Sequence, residues 1–167
     1  MDKPTFVIIG KYHAPPRGRT PTKTFPDLND LLGYANTSRY AYNREKRKYM
    51  DIAKQAIRKG VRNYKATKRV RLHFWFCEPL DGHYRDYDNI ASAAHKIIID
   101  ELVELKVIHD DSPKYLDHSV DKFAYTDGTP YIKVEIEEIE DGQINGENGK
   151  SGEAGNVYGP ESGRNVN

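Results

Sequence analysis

Hydrophobic and polar residues alternate along one short stretch of the chain, residues 69–79 (RVRLHFWFCEP). Successive side chains of a β-strand point to opposite faces, so this alternation predicts a strand with one apolar face turned toward a core. The residues on that face are Val70, Leu72, Phe74 and Phe76. Residues 5–13 (TFVIIGKYH), which are rich in β-branched and aromatic side chains, predict a second strand.

Two further strand-like segments flank a turn signal closer to the end of the chain. Residues 119–126 (SVDKFAYT) and 131–139 (YIKVEIEEI) lie on either side of the tetrapeptide DGTP. Turn residues between two such segments are typical of a hairpin, so we expect the two strands to pair antiparallel. The side chains expected to face the core are those of Ile132, Val134 and Ile136.

Apolar residues recur at helical spacing in two longer segments. In the first, Ser38 is placed to cap the N-terminus of a helix and Gly60 to end it. The second runs from about residue 90 to residue 105, and its apolar stripe comprises Ile90, Ala94, Ile97, Ile98, Leu102 and Leu105. A short helical turn is also predicted within residues 25–34, with Asp27 as its cap.

Together these elements predict one α+β domain over residues 1–140, with a small mixed or antiparallel sheet packed against two main helices. Residues 14–24 (APPRGRTPTKT) predict a loop because they contain three prolines and a glycine. Residues 141–167 are rich in Gly, Asn, Ser and Glu and hold few apolar side chains. Such a segment cannot offset the entropy lost on ordering, so we expect a disordered tail there.

The single cysteine, Cys77, excludes a disulfide within the chain and argues against a cysteine-based zinc site. This fits a reducing cytoplasm. The apolar run near the start of the chain is far shorter than the ~20 residues that span a bilayer. We therefore expect a cytoplasmic protein that makes no contact with a membrane.

The net charge of +1 conceals an asymmetry between the two halves of the chain. Residues 1–85 contain 19 Lys and Arg against 7 Asp and Glu, and residues 86–167 contain 7 against 18. Within residues 39–71 there are 13 basic residues and 2 acidic ones. A basic half of this kind is typical of a protein that binds a polyanion, although the two halves could also neutralise each other across the fold.

Four aspartates lie close to the two ends of the second predicted helix. Asp86 and Asp88 precede it and would project to the same side of an extended backbone, while Asp110 and Asp111 follow it. If the chain doubles back after the helix, two or three of these carboxylates converge. Oxygen ligands of this kind suit Mg²⁺ or Mn²⁺. The alternative is structural, with Asp88 capping the helix and the second pair forming an ordinary turn.

The order of these motifs resembles that of the RusA-like family of phage and bacterial Holliday-junction resolvases. The similarity comprises RDYDN at residues 85–89, KIIIDEL at 96–102 and VIHDDS at 107–112, followed by two strands, and extends more weakly over residues 5–139. One departure concerns the lysine. In the best-known member it follows the second aspartate by one helical turn, whereas Ser92 occupies that position here and Lys96 comes four residues later.

The resemblance implies a homodimeric, Mg²⁺-dependent endonuclease that resolves four-way DNA junctions. Asp86, Asp88 and Asp111 would hold the metal, with Mn²⁺ as a substitute for Mg²⁺, and Lys96 would offset charge on the phosphate. Three further residues would support these groups from outside, namely Asn89, Asp100 and Asp110. It also implies a bacterial host cell, with a phage or prophage as a source of the gene.

The basic residues are expected to contact DNA phosphates, with the two arginines of the 14–24 loop reaching toward the junction centre. This set comprises Arg17, Arg19, Lys46, Arg47, Arg58, Arg62, Lys65, Lys68, Arg71 and Arg85. Two alternatives remain open. One is a nuclease for another branched substrate, such as a flap or fork, and the other is a DNA-binding module without catalytic activity.

Overall fold

The computed structural model describes residues 3–9, 25–80 and 85–140. They form an α+β fold, as predicted, with one four-stranded mixed sheet and three helices. The elements in chain order are β1 (Thr5–Ile8), α1 (Leu28–Thr37), α2 (Arg39–Gly60), β2 (Val70–Pro79), α3 (Tyr87–Glu104), β3 (Val120–Thr126) and β4 (Tyr131–Glu138). The predicted loop at 14–24, with Arg17 and Arg19, and the predicted tail at 141–167 lie outside the described residues.

The strand order in the sheet is β1-β4-β2-β3. Strand β2 pairs antiparallel with β4 and parallel with β3, and β4 pairs antiparallel with β1. The predicted hairpin between β3 and β4 is therefore wrong, because β2 lies between them. The residues that join them cross the end of β2, where the amide of Leu80 donates to the carbonyl of Thr126 at 2.8 Å.

Burial explains this order. Strand β2 is buried along most of its length, and Val70, Leu72, Phe74 and Phe76 are each 0% exposed. A strand this apolar is most stable when it has a hydrogen-bonded strand on each side. Strand β3 contains no fully buried residue and carries exposed charged side chains at Asp121 and Lys122, which suits an edge. The turn signal predicted a chain reversal correctly but carried no information about which strand is the neighbour.

The helix starts follow the capping residues seen in the sequence. Asp27 and Asp30 form a capping box at α1, with each side chain accepting from the other's amide at 2.9 and 3.0 Å. The Ser38 hydroxyl accepts from the amide of Ala41 at 3.0 Å at the start of α2. Helix α1 has ten residues and is longer than the short turn predicted. Helix α3 begins at Tyr87, three residues before its first apolar position at Ile90.

The helices cover the sheet and bury its apolar face. The α3 stripe is confirmed for Ile90, Ala94, Ile97, Ile98 and Leu102, each at most 1% exposed, whereas Leu105 is only partly buried. The three predicted core residues of β4 are also buried. No helix among the described residues has the length and apolar character that crossing a membrane requires.

Helix α2 ends against β1 with no room for a side chain at its last residue. A Cβ atom on Gly60 would lie 2.4 Å from the Cβ of Phe6 and 2.6 Å from the carbonyl oxygen of Thr5. Around Gly33 in α1, by contrast, nothing lies within 4 Å of the position of an added Cβ. The two helical glycines therefore form a matched pair.

We predict opposite effects for alanine at these two positions. Gly60→Ala should lower the free energy of unfolding by about 1–3 kcal/mol, because backbone and Phe6 must move to relieve the overlap. Gly33→Ala should raise it by about 0.5–1 kcal/mol, because alanine loses less conformational entropy in a helix. Urea unfolding of both variants measures the difference. Equal stabilities would show that α2 does not end as closely against β1 as described.

Candidate functional site

Asp86 and Asp88 lie at the N-terminus of α3, and both are exposed. Asp86 is the N-cap residue, yet its side chain makes no capping hydrogen bond and instead accepts from the Asn89 side-chain amide at 3.3 Å. Asp88 lies in the first turn, where the positive end of the helix dipole favours a carboxylate. The cap does not use the oxygens of this pair, so they remain available to a ligand.

The extended backbone on which the sequence prediction for this pair depended is present at Asp86 but not at Asp88. Because α3 begins at Tyr87, Asp88 has helical backbone, whereas Asp86 is the N-cap with φ -63° and ψ 130°. The rule that places alternate residues on one side of an extended chain therefore does not apply to the two aspartates. The boundary was missed because the first turn is polar and lies outside the apolar stripe.

Tyr87 anchors this end of α3 to the edge of the sheet. Its ring stacks on Phe123 of β3 with centroids 4.1 Å apart, and Phe123 stacks on Phe76 of β2 at 4.9 Å. Tyr87 is 50% exposed and lines an open cavity of about 360 Å³ together with Asp86 and Tyr125. The stack fixes the direction in which the side chain of Tyr87, between the two aspartates, leaves the helix. Nothing in the sequence pattern singled out Phe123 as its partner.

After α3 the chain doubles back, as the sequence analysis required. Lys106 adopts a left-handed conformation with φ 56°, and the amide of Val107 donates to the carbonyl of Leu102 at 2.9 Å. Val107 and Ile108 are buried, which holds the following turn against the domain. Within that turn the carboxyl of Asp110 accepts from the amide of Ser112 at 2.7 Å. Hydrogen bonds from the side chain and backbone of Ser112 lower the pKa of this carboxyl. Asp110 thus serves the turn itself.

Two carboxylates raise the pKa of Lys96. Its ammonium is 2.9 Å from one oxygen of Asp100, one turn further along α3. The hydrogen bond and charge of Asp100 raise the pKa of Lys96, and the charge of Asp111 adds to this effect. The other oxygen of Asp100 is 3.3 Å from the ammonium of Lys46 on α2. Asp100 therefore connects α3 to α2 through Lys46 and also pairs with Lys96 on its own helix, and the charge of Asp111 acts on Lys96.

Within residues 3–9, 25–80 and 85–140, no group of three or more His, Cys, Asp or Glu side chains is placed so that it could hold a metal ion. The structure accordingly does not bring Asp86, Asp88 and Asp111 together as one ligand set. Mg²⁺ in phosphoryl-transfer sites commonly takes only one or two carboxylates, with water and substrate phosphate completing its shell. The exposed oxygens of Asp86 and Asp88 fit that mode by their chemistry. The charge of Asp111 instead raises the pKa of Lys96.

The guanidinium of Arg85 makes its contacts within the domain. It is only 12% exposed, and its guanidinium donates to the carbonyl oxygen of Phe25 at 3.1 Å and to Asp27 at 3.3 Å. It also pairs with Glu78 at the end of β2, and both carboxylates are buried. These contacts tie the segment before α3 to the start of α1. We therefore assign Arg85 to the fold and remove it from the predicted DNA-contacting set.

Three other members of that set pair with carboxylates from the acidic half of the chain. Arg71 is 2.5 Å from Asp117, Lys46 contacts Asp100, and Lys68 contacts Glu140. The two halves thus neutralise each other in part, which was the alternative that the charge asymmetry allowed. The members with no carboxylate partner in the described part of the chain are Arg47, Arg58, Arg62 and Lys65, and all four are exposed.

A scan against protein-family models gives no match to this chain, and a search of curated proteins gives none either. The similarity to the RusA-like resolvases therefore depends on the spacing of RDYDN, KIIIDEL and VIHDDS alone.

The contacts of Arg85 predict a stability effect that a DNA-contacting arginine would not show. Arg85→Ala should lower the free energy of unfolding by about 3–5 kcal/mol, because Asp27 and Glu78 would keep buried charges without their shared partner. Arg62→Ala, at an exposed and unpaired position, should change it by less than about 0.5 kcal/mol. Urea unfolding of the two variants side by side provides the measurement. An Arg85→Ala protein as stable as Arg62→Ala would contradict the assignment.

Proposed function

We propose that this chain is a Mg²⁺-dependent endonuclease that cuts branched DNA, with the four-way junction as its substrate. The observation that carries the proposal is the state of the two carboxylates at the start of α3. They are exposed and unused by the helix cap, and the same helix carries Lys96, which pairs with Asp100 and feels the charge of Asp111. The resemblance of the motif order to the RusA-like resolvases gives the reaction and substrate class.

In this proposal Asp86 and Asp88 hold the cation, with phosphate oxygens of the DNA completing its coordination. The bound metal would supply activation of a water molecule and stabilisation of charge at the phosphorus. Asn89, which donates to Asp86, orients that carboxylate from outside the metal's ligands. The hydrogen bond with Asp100 and the charges of Asp100 and Asp111 raise the pKa of Lys96 and so stabilise its ammonium form.

The position of Lys96 favours a different phosphate from the one that is cut. It lies eight residues after Asp88, which is about 12 Å along the helix axis, and its ammonium points toward Asp100. Phosphates on one strand are spaced by about 3.4 Å along a duplex axis, so 12 Å corresponds to three or four nucleotides. Lys96 is therefore suited to hold a neighbouring phosphate. Paired cuts across a two-fold junction require a second copy of the chain, and a homodimer is part of the proposal.

A DNA-binding module without catalytic activity is the second candidate. It is favoured by one observation, that the described residues contain no three-ligand metal group. The exposed, unpaired basic residues of α2 and the following loop fit either candidate. The two differ only in what the aspartates of α3 do, so the decisive experiment changes those aspartates.

We predict that Asp88→Asn abolishes cleavage of a labelled synthetic four-way junction while its binding is retained. Cleavage should fall by on the order of a hundredfold or more, because one of two carboxylates that hold the cation is lost. Wild-type protein should cut with Mg²⁺ or Mn²⁺ and should fail to cut in EDTA. Gel analysis of products and a filter-binding assay on the same samples measure the two effects.

Asp51→Asn is the matched control, because Asp51 is an exposed aspartate of α2 whose charge acts on Glu101, which lies about 20 Å further along the α3 axis than Asp88. It should cut as the wild type does. Wild-type protein that binds the junction but cuts nothing would favour the non-catalytic module. Equal cutting of junction and linear duplex would remove the selectivity, and preferential cutting of a flap or fork would replace the junction as substrate.

A further inference from the structure

Two adjoining clefts lie where helices α2 and α3 end. The first, of about 290 Å³, has apolar walls from both helix ends and carries Arg58, Arg62 and Lys65. The second, of about 440 Å³, also includes Lys65 and adds Lys106 and His109 from the turn after α3. Because both are lined by Lys65, the clefts adjoin at that side chain and make up one basic surface. We call it the basic groove, defined by these five residues.

No carboxylate lines either cleft. None of the four cations (Arg58, Arg62, Lys65 and Lys106) forms an ion pair with a residue in the described ranges. By contrast, Lys46 and Lys54 of α2 do form such pairs. Acidic side chains next to these residues have other partners. Asp110, which follows His109, accepts from the amide of Ser112. Glu104 contacts Lys54, and Glu138 accepts from the Tyr64 hydroxyl at 3.0 Å and from the Thr67 amide at 3.0 Å. The positive charge in the groove is therefore left without a carboxylate partner among residues 3–9, 25–80 and 85–140.

Helix dipoles account for only part of this charge. Both α2 and α3 end here, at Gly60 and Glu104, and each C-terminus carries the equivalent of about half a negative charge. The two ends together amount to roughly one negative charge, so four cations leave an excess of about three. Stabilising the helix ends would need one or two of these residues. The remainder favours an anionic ligand from outside the chain.

We propose that the basic groove binds the phosphodiester backbone of DNA and leads it from the end of α2 to the turn that contains Asp111. An extended polyanion suits two open clefts joined at Lys65 better than a single small anion does. His109 contributes a fixed contact at the far end, because its ring stacks on Tyr115 with centroids 4.2 Å apart. This assigns a function to Lys106 and His109, which the sequence did not single out. The proposal rests on the proposed function for its ligand.

The test measures affinity for a short duplex and for a four-way junction as a function of salt, in EDTA so that no cleavage occurs. Lys65→Gln and Lys106→Gln should each reduce the slope of log K against log salt by about one, because each removes one phosphate contact. His109→Gln should weaken binding without a comparable change in slope. Lys122→Gln on the edge strand β3 is the control, since it removes one exposed charge remote from the groove and should leave the slope unchanged.

Failure of the groove and failure of the nuclease give different results. A reduced slope in Lys106→Gln with no cleavage by wild-type protein would support the groove and overturn the proposed activity. Normal junction cleavage by wild-type protein with Lys106→Gln equal to Lys122→Gln in slope would overturn the groove alone. Absence of any DNA binding would overturn both. Urea unfolding of each variant should give the wild-type stability, because Lys65, Lys106 and Lys122 are exposed.

Discussion

The packing of α3 against the central strand β2 determines where every candidate functional residue lies. The buried face of α3 shares one apolar core with Phe74 and Phe76, whose rings are nearly parallel with centroids 5.7 Å apart. His95 of α3 lies 4.4 Å from the Phe74 ring and 2.9 Å from Asp121 of β3, so the helix is fixed to two strands at once. With its middle held in this way, the acidic pair is fixed at one end of α3 and the basic groove at the other.

Pairing across the fold separates structural charges from charges that are free to bind a ligand. Lys46 and Lys54 on α2 reach Asp100, Glu101 and Glu104 on α3, which joins the basic helix to the acidic one. Glu101 is only 1% exposed, and burial raises the pKa of its carboxyl, so this contact has an electrostatic cost. Four cations outside these pairs, Arg58, Arg62, Lys65 and Lys106, lie where α2 and α3 end. The net charge of +1 therefore conceals a positive surface at these helix ends.

The sequence predicted features that depend on neighbouring residues and missed those that depend on distant ones. Ser38, Asp27 and the alternation at Val70–Phe76 act within a few residues, and the structure agrees with each of them. The β3–β4 hairpin was wrong because β2, nearly fifty residues earlier in the chain, takes the place between the two strands. Arg85 was placed among the DNA contacts because it is basic. Its partner Asp27 is 58 residues away, and no local pattern reveals such a contact.

The length of α3 links the two proposed contacts with DNA. Its 18 residues extend about 27 Å, so a strand that reaches from the basic groove to Asp86 and Asp88 must pass roughly eight phosphates. Lys96 lies between these ends and supplies a cation for a continuous strand. A mononucleotide or a small anion would occupy one end and gain nothing from the other. The proposed nuclease would therefore hold a long arm of DNA in the groove and cut it at the opposite end of α3.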